Sequence, residues 1–133
     1  MTTEEMDTLL GAVKFDDNGL VTAIAQDHAS GDVLMVAYMN LDTLRQTLET
    51  NVMTYWSRSR QKVWIKGEQS GNMQRVLRVR IDCDGDALLF GIEQIGGAAC
   101  HTGRRSCFYR DLGGNEWVVN SEPLFDPNAV YGK

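Results

Sequence analysis

The sequence has few of the features that mark secreted, membrane-spanning or nucleic-acid-binding proteins. It has only 3 cysteines, and it contains no apolar run long enough for a signal peptide or a membrane span. Because three thiols cannot close a set of paired disulfides, we expect a reducing compartment, the cytoplasm. The 13 lysines and arginines are outnumbered by 18 acidic residues, and the net charge of -5 argues against a nucleic-acid partner.

The chain does contain enough apolar material for one domain. With 133 residues, of which 43% are hydrophobic, it can bury a core but is too short for two comfortable domains. No internal repeat, linker or low-complexity stretch divides it. We therefore expect residues 1–133 to form a single domain. The acidic balance still allows a small phosphorylated substrate, because a few arginines can gather locally.

The order of apolar and turn-forming residues predicts an α+β fold. Asn40 is a favoured N-cap, and leucines recur at helical spacing behind it, which predicts a helix over Leu41–Thr50. A shorter helix is predicted over Glu4–Leu10 with Thr3 as its cap. We expect one or two helices on a mainly antiparallel sheet. The predicted strands include Val21–Ala25, Val33–Met39, Met53–Ser57, Val63–Ile65, Leu77–Asp84, Leu88–Phe90 and Glu116–Val119.

All three cysteines and the densest group of carboxylates lie in two short stretches, the acidic segment Asp82–Asp86 and the thiol segment Cys100–Cys107. Three carboxylates at alternate positions offer hard oxygen ligands, while thiols offer the softer ligands that suit zinc. Three thiolates would also leave a zinc position open for water, as catalysis requires. The candidate ligands are Asp82, Asp84 and Asp86 for a hard cation and Cys83, Cys100 and Cys107 for zinc.

Cys83 lies between two of the aspartates. If the strand predicted from Leu77 continued through Asp84, side-chain alternation would point Cys83 away from the carboxylates, and its site would need thiols from across the fold or from another subunit. Alternating aspartates also occur in solvated turns, and cysteines are often ordinary core residues, so both alternatives stay open. A calcium-binding loop is rejected, because Ala87 stands where such a loop needs glycine.

Further candidates for chemistry are a histidine and a basic, aromatic stretch. His101 can be a fourth zinc ligand, a general acid or base, or a plain loop residue, whereas His28 is expected at the surface. Guanidinium and hydroxyl groups alternate over Trp56–Arg60, which suits a phosphate, while Trp56 or Trp64 could stack on a base. The same pattern also fits the polar face of an edge strand.

Several runs of residues, in one order, resemble a known family. From about Leu20 to Arg110 the chain resembles the phosphoribosyl-AMP cyclohydrolases of histidine biosynthesis. It lacks the glycine expected near Asn51, and too few residues follow Arg110 for the pyrophosphohydrolase domain that some relatives carry. The matching runs are Val36-Ala37-Tyr38-Met39-Asn40, Tyr55-Trp56-Ser57-Arg58-Ser59-Arg60, Trp64-Ile65-Lys66-Gly67, Ser70-Gly71, Asp82-Cys83-Asp84-Gly85-Asp86-Ala87-Leu88, Cys100-His101-Thr102-Gly103 and Ser106-Cys107-Phe108.

The resemblance implies an activity, two metals and an assembly. The activity is hydrolytic opening of the N1–C6 bond in the adenine ring of phosphoribosyl-AMP, by zinc-activated water with magnesium assistance. The assembly is an intertwined homodimer, in which the three cysteines bind a zinc shared between subunits and the three aspartates bind magnesium. We expect His101 to shuttle the proton. The residues expected to contact substrate are Trp56, Ser57, Arg58, Arg60 and Lys66.

Two other classes of protein use similar residues. A nucleobase deaminase also attacks a ring with zinc-bound hydroxide, but the chain has no His-x-Glu and no Pro-Cys-x-x-Cys motif. A zinc-stapled dimerisation module without catalysis would saturate its zinc with four protein ligands and would have no need of the three aspartates.

Overall fold

A computed structural model describes residues 1–125 and confirms the α+β fold, with two helices and mainly antiparallel strand pairs. Within that part of the chain, neither helix has the length and apolar character needed to cross a bilayer. The helices are α1 (Thr3–Gly11) and α2 (Leu41–Thr50). The strands are β1 (Val21–Asp27), β2 (Val33–Met39), β3 (Thr54–Ser57), β4 (Lys62–Ile65), β5 (Gln74–Ile81), β6 (Ala87–Gln94), β7 (Arg110–Gly113) and β8 (Glu116–Val119).

The main sheet has four strands in the order β2-β1-β6-β5. The β1–β2 and β5–β6 pairs are antiparallel, whereas β1 and β6 run parallel. Ala25 stands opposite Met35 on one side and Phe90 on the other, so the buried positions of neighbouring strands share one face. The helices contribute Met6, Leu10 and Leu44 to the core on that face.

Both helices begin at side chains that cap their free N–H groups. The Asn40 side-chain oxygen Oδ1 accepts the N–H of Thr43 at 2.8 Å, so α2 starts where the sequence predicted. The cap of α1 is Thr2 rather than Thr3, because Glu5 closes a capping box with Thr2. At the other end of α2, Asn51 takes a left-handed conformation with φ of 61°. Asparagine tolerates this conformation, so it takes the place of the missing glycine.

The prediction that a strand continues through Asp84 is wrong. Strand β5 ends at Ile81, and the acidic segment is a turn in which the Gly85 N–H donates to the Asp82 carbonyl at 3.2 Å. Gly85 has φ of 79°, a conformation that side-chain-bearing residues rarely adopt. Strand alternation therefore does not decide where Cys83 points. The strand predicted at Leu88–Phe90 is confirmed, since β6 begins at Ala87.

Two separate hairpins complete the fold. In β3–β4, Tyr55 is fully buried in the core and its ring lies 5.4 Å from that of Trp64. The β7–β8 hairpin is exposed along its whole length, including the apolar Leu112 and Trp117. Strand β8 was predicted from the sequence, whereas its partner β7 was not. The first hairpin therefore belongs to the core, and the second projects an apolar surface outwards.

Candidate active site

The acidic segment gathers its three carboxylates at the turn between β5 and β6. One oxygen from each of Asp82, Asp84 and Asp86 lies within 4.8 Å of the others. The Asp82 carboxylate also holds the turn, since its Oδ1 accepts the backbone N–H groups of Asp86 at 3.0 Å and Ala87 at 3.2 Å. All three aspartates are exposed. A solvated turn was left open above as an alternative to a metal site. The segment is a turn, and this turn brings the three carboxylates together.

Crowding of the carboxylates changes their affinity for protons. Hydrogen bonds with Asp84 and Asp82 raise the pKa of Asp86 above its ordinary value. Desolvation raises the pKa of Asp82, but hydrogen bonds from Asp86 and the Ala87 backbone outweigh it, so the pKa of Asp82 is lowered. Opposite shifts of this kind are expected where like charges share a site. A hard divalent cation would relieve the same repulsion.

The thiol segment is a loop docked on β2. The Cys107 N–H donates to the Leu34 carbonyl at 2.7 Å, and the Ser106 hydroxyl donates to the Val33 carbonyl at 2.9 Å. Cys100 is buried and Cys107 is exposed. Docking on a rigid strand therefore fixes the position of both thiols relative to the core.

The two thiols of this loop change each other's pKa. A hydrogen bond from Cys107 is the main cause that lowers the pKa of Cys100 to about 5, and partial burial opposes the shift. The Thr102 hydroxyl adds a second donor, 3.1 Å from the Cys100 sulfur. The pKa of Cys107 is raised because it retains the shared proton. The lowered pKa favours the thiolate form of Cys100, and thiolates are the form of cysteine that binds zinc.

Cys83 lies apart from these two thiols within one chain. Within residues 1–125, the three aspartates are the only set of three or more histidine, cysteine or acidic side chains whose ligand atoms converge. Cys83 is exposed in the acidic segment, between the carboxylates. Within the described part of a single chain, the three thiols therefore do not converge on one point.

A cleft of about 960 Å³ runs beside the thiol loop. Lys66 lies in its wall with 2% exposure, and its ammonium is 5.5 Å from the centre of the Trp64 ring. Burial lowers the pKa of Lys66, while the nearby Cys107 and Cys100 oppose that shift. His101 is exposed and lines the same cleft. Arg60, Lys62, Ser57, Ser59 and Ser70 also line it.

A second cleft, of about 520 Å³, shares Ser57, Ser59 and Trp64 with the first. Trp56 and Arg58 lie in it, and the Arg58 guanidinium carbon is 4.0 Å from the centre of the Tyr38 ring. The predicted substrate residues therefore divide between two adjoining clefts. Such a pair suits an elongated anionic ligand with an aromatic part.

Two residues of this region were not predicted to have a role. Thr102 bonds Cys100, and its position two residues after a cysteine is too common a spacing to signal this contact. Tyr38 supports Arg58 from a strand that lies 20 positions earlier in the chain, so only the tertiary structure reveals the pair. His28 is exposed, as expected.

Comparisons with known proteins agree with one another. The family model described as phosphoribosyl-AMP cyclohydrolase matches residues 35–109. A protein of that name from Chromobacterium violaceum is 58% identical over 122 residues, 92% of each chain. One from Salinibacter ruber is 54% identical over 94% of this chain and 98% of its own length. One from Chlorobaculum tepidum is 55% identical over 98% of this chain and 95% of its own length.

Proposed function

This chain belongs to the phosphoribosyl-AMP cyclohydrolase family, and from that membership we propose that it hydrolyses the N1–C6 bond of phosphoribosyl-AMP in histidine biosynthesis. The observation that carries the proposal is the docked thiol loop, with Cys100 and Cys107, beside a cleft lined by Lys66 and His101. A metal-binding donor pair next to a large polar cleft is what a metal-assisted hydrolase needs.

The donors fit zinc and magnesium respectively. Cys100 and Cys107 form a thiol pair with one readily formed thiolate, and Cys83 of the partner subunit would supply a third sulfur. The three carboxylates of the acidic segment are oxygen-only, exposed and convergent, which fits magnesium or a similar hard cation. Zinc, when bound, lowers the pKa of a coordinated water towards about 7 and so supplies a nucleophile at neutral pH.

The reaction itself is a water addition followed by ring opening. The ribosyl substituent on N1 makes the adenine ring electron-poor, so C6 is open to attack. The C6–O bond forms and the N1–C6 bond breaks. C6 keeps its amino group and becomes a carboxamide, while a proton passes from the added oxygen to N1. The product is an aminoimidazole carboxamide.

The cleft residues bind and orient this substrate. Arg58 and Arg60 lie in adjoining clefts and would each neutralise a phosphate, with serine hydroxyls beside them. Trp64 lines both clefts and offers a ring on which the base can stack. The Lys66 ammonium lies in the cleft wall near the thiols, where burial lowers its pKa and the thiols oppose that shift, and we take this side as the reacting end of the cleft. We place Lys66 at the phosphate nearest to that end.

A homodimer is proposed because the described residues leave apolar side chains uncovered on the β7–β8 hairpin and on β5, the strand that leads to Cys83. On the β7–β8 hairpin, Leu112 is 65% and Trp117 is 67% exposed. On the edge strand β5, Val79 is 41% and Ile81 is 45% exposed. A two-stranded hairpin is marginally stable alone, and such patches mark interfaces. Exchange of this hairpin with a second copy would intertwine the subunits.

The direct test uses purified protein, phosphoribosyl-AMP, zinc and magnesium, and follows the absorbance of the carboxamide product. We expect turnover that a chelator removes and that zinc restores. Product without ring opening, or no product from a zinc-loaded dimer, would contradict the proposal. A deaminated but closed ring would instead identify the deaminase alternative.

His101 is proposed to carry the proton from the added oxygen to N1. We expect His101→Gln to lower kcat by about 10²- to 10⁴-fold with zinc content unchanged, since positioned acid–base groups contribute this much. Zinc content and steady-state turnover are the measurements. His28→Gln is the matched control, because His28 is exposed and lies outside both clefts. Nearly full turnover in a zinc-loaded His101→Gln protein would assign His101 no catalytic role.

Asp84→Asn tests the magnesium site. We expect the affinity for magnesium to fall at least about tenfold, because a charged ligand is lost. We also expect the metal-free variant to melt at a higher temperature at neutral pH. The pKa of Asp86 is raised in the folded protein, so Asp86 adds to the free energy of unfolding at low pH. This contribution is lost as the pH rises through the pKa of Asp86 in the folded protein. Removing the Asp84 charge relieves part of this loss.

Isothermal titration and thermal melts of the metal-free protein measure the two effects. Asp17→Asn is the control, since this exposed aspartate lies in the turn before β1 and outside the acidic segment. Unchanged magnesium affinity in Asp84→Asn would remove the aspartates from the metal site. Loss of activity in a still-folded dimer of the same variant would contradict the dimerisation module, which has no need of the aspartates.

A further inference from the structure

Arg105 lies in the thiol loop between the two cysteines and reaches across to the turn that joins β1 and β2. Its Nη1 donates to the Asp32 carboxylate at 2.9 Å. Its Nη2 donates to the Asp27 carboxylate at 3.3 Å and to the Ser30 hydroxyl at 3.2 Å. One guanidinium thus meets three acceptors on a turn that is more than 70 positions earlier in the chain.

The backbone of Arg105 is fixed as well as its side chain. Its carbonyl accepts the N–H of Ala99 at 3.0 Å, and the neighbouring Arg104 carbonyl accepts the N–H of Cys100 at 3.1 Å. These two bonds close the loop on itself directly before the first thiol. Two residues after Arg105, the Cys107 N–H docks on β2. Arg105 therefore joins the closure of the loop to its attachment on the sheet.

The ion pairs of Arg105 with Asp27 and Asp32 hold the loop more firmly than the exposure of the Arg105 side chain alone would indicate. The Arg105 side chain is 44% exposed, and a single ion pair at such a site contributes little. Here the fork has several acceptors, and Asp27 is only 18% exposed. Loss of Arg105 would leave that carboxylate without its cation and would free the loop at its midpoint. The planar guanidinium of arginine fixes the orientation of its partners as well as their distance, whereas the ammonium of lysine does not fix their orientation.

We propose that Arg105 is a positioning residue that holds Cys100 and Cys107 at the separation a shared metal ion requires. The proposal rests on the proposed function, in which these two cysteines are metal ligands. Groups that orient ligands without touching the metal commonly affect metal affinity by about 10- to 100-fold. Arg105 acts in this way through the loop backbone, from outside the cleft.

The test measures metal binding without turnover. Cobalt(II) is titrated into the metal-free dimer, thiolate binding is followed by its charge-transfer absorption, and zinc affinity is measured by competition with a chromophoric chelator. We expect Arg105→Ala to bind either ion about 10- to 100-fold more weakly than the native protein. Arg105→Lys should recover part of the affinity, since it keeps the charge and loses the fork.

Two further variants separate positioning from general stability. Asp32→Asn removes the negative charge of one acceptor outside the loop and should weaken metal binding in the same direction. Combined with Arg105→Ala, it should add less than its own effect. It also serves if Arg105→Ala does not fold. Arg75→Ala is the matched control, because Arg75 makes a 2.7 Å ion pair with Glu93 on the main sheet, away from the thiol loop. Its metal affinity should equal that of the native protein.

Equal metal affinity in the native, Arg105→Ala and Asp32→Asn proteins would overturn the positioning role and leave the metal site intact. Weaker binding in Arg75→Ala to the same degree would also overturn it, because the effect would then follow stability alone. If the native dimer gives no thiolate absorption with cobalt, the metal part of the proposed function fails, and the role of Arg105 fails with it.

Discussion

Cys107→Ser is expected to lower the rate of ring opening by roughly three orders of magnitude or more and to leave the protein without stoichiometric zinc. A serine hydroxyl does not ionise near neutral pH and is a poor zinc ligand. The change leaves Cys100 as the one thiol of the loop, so the metal ion loses a ligand. Metal content by atomic emission and turnover with phosphoribosyl-AMP measure the two losses.

A second substitution at the same position provides the control. Cys107→His keeps a zinc ligand, since imidazole nitrogen binds zinc, and it should regain part of the metal content. The backbone N–H of residue 107 still reaches the Leu34 carbonyl in either variant, so the circular dichroism of both should match that of the native protein. A Cys107→Ser protein with native zinc content and native turnover would remove this thiol from the site.

Local signals in the sequence were sufficient for much of the fold. Helix α2 and strand β2 have the predicted bounds, because an N-cap at Asn40 and a glycine turn before Val33 are decided by neighbouring residues. The parallel pairing of β1 with β6 was not predicted. It joins segments about 65 positions apart, and no turn residue records such a contact.

The residue types in the sequence identified the candidate metal ligands, but they did not predict how these ligands are arranged in space. The carboxylates of the acidic segment converge through a turn around Gly85, whereas strand alternation was the expected cause. That Cys83 points away from the carboxylates stays a prediction. What the structure adds is the pairing of Cys100 with Cys107, and the burial of Lys66 beside them. Both depend on how the thiol loop docks on β2, a strand that is far from the loop in the sequence.

Two inactive variants are expected to restore activity when they share a dimer. In the proposed homodimer, each zinc takes Cys83 from one subunit and the other two thiols from its partner. A mixed dimer of Cys83→Ser and Cys107→Ser chains has both defects in one site and none in the other. Random pairing of equal amounts makes about half of the dimers mixed, so about a quarter of native activity should return. Co-expression with two affinity tags measures it.

The control is a mixture of two variants that each lack one thiol of the same loop. Cys100→Ser and Cys107→Ser chains combined in the same way should stay inactive, because every site in a mixed dimer then lacks one thiol. Native-like activity of a Cys83→Ser dimer would show that this thiol is dispensable. An inactive mixture of Cys83→Ser and Cys107→Ser, with mixed dimers shown by mass, would place all three ligands in one subunit. The separation of Cys83 from the thiol pair within one chain favours the shared site.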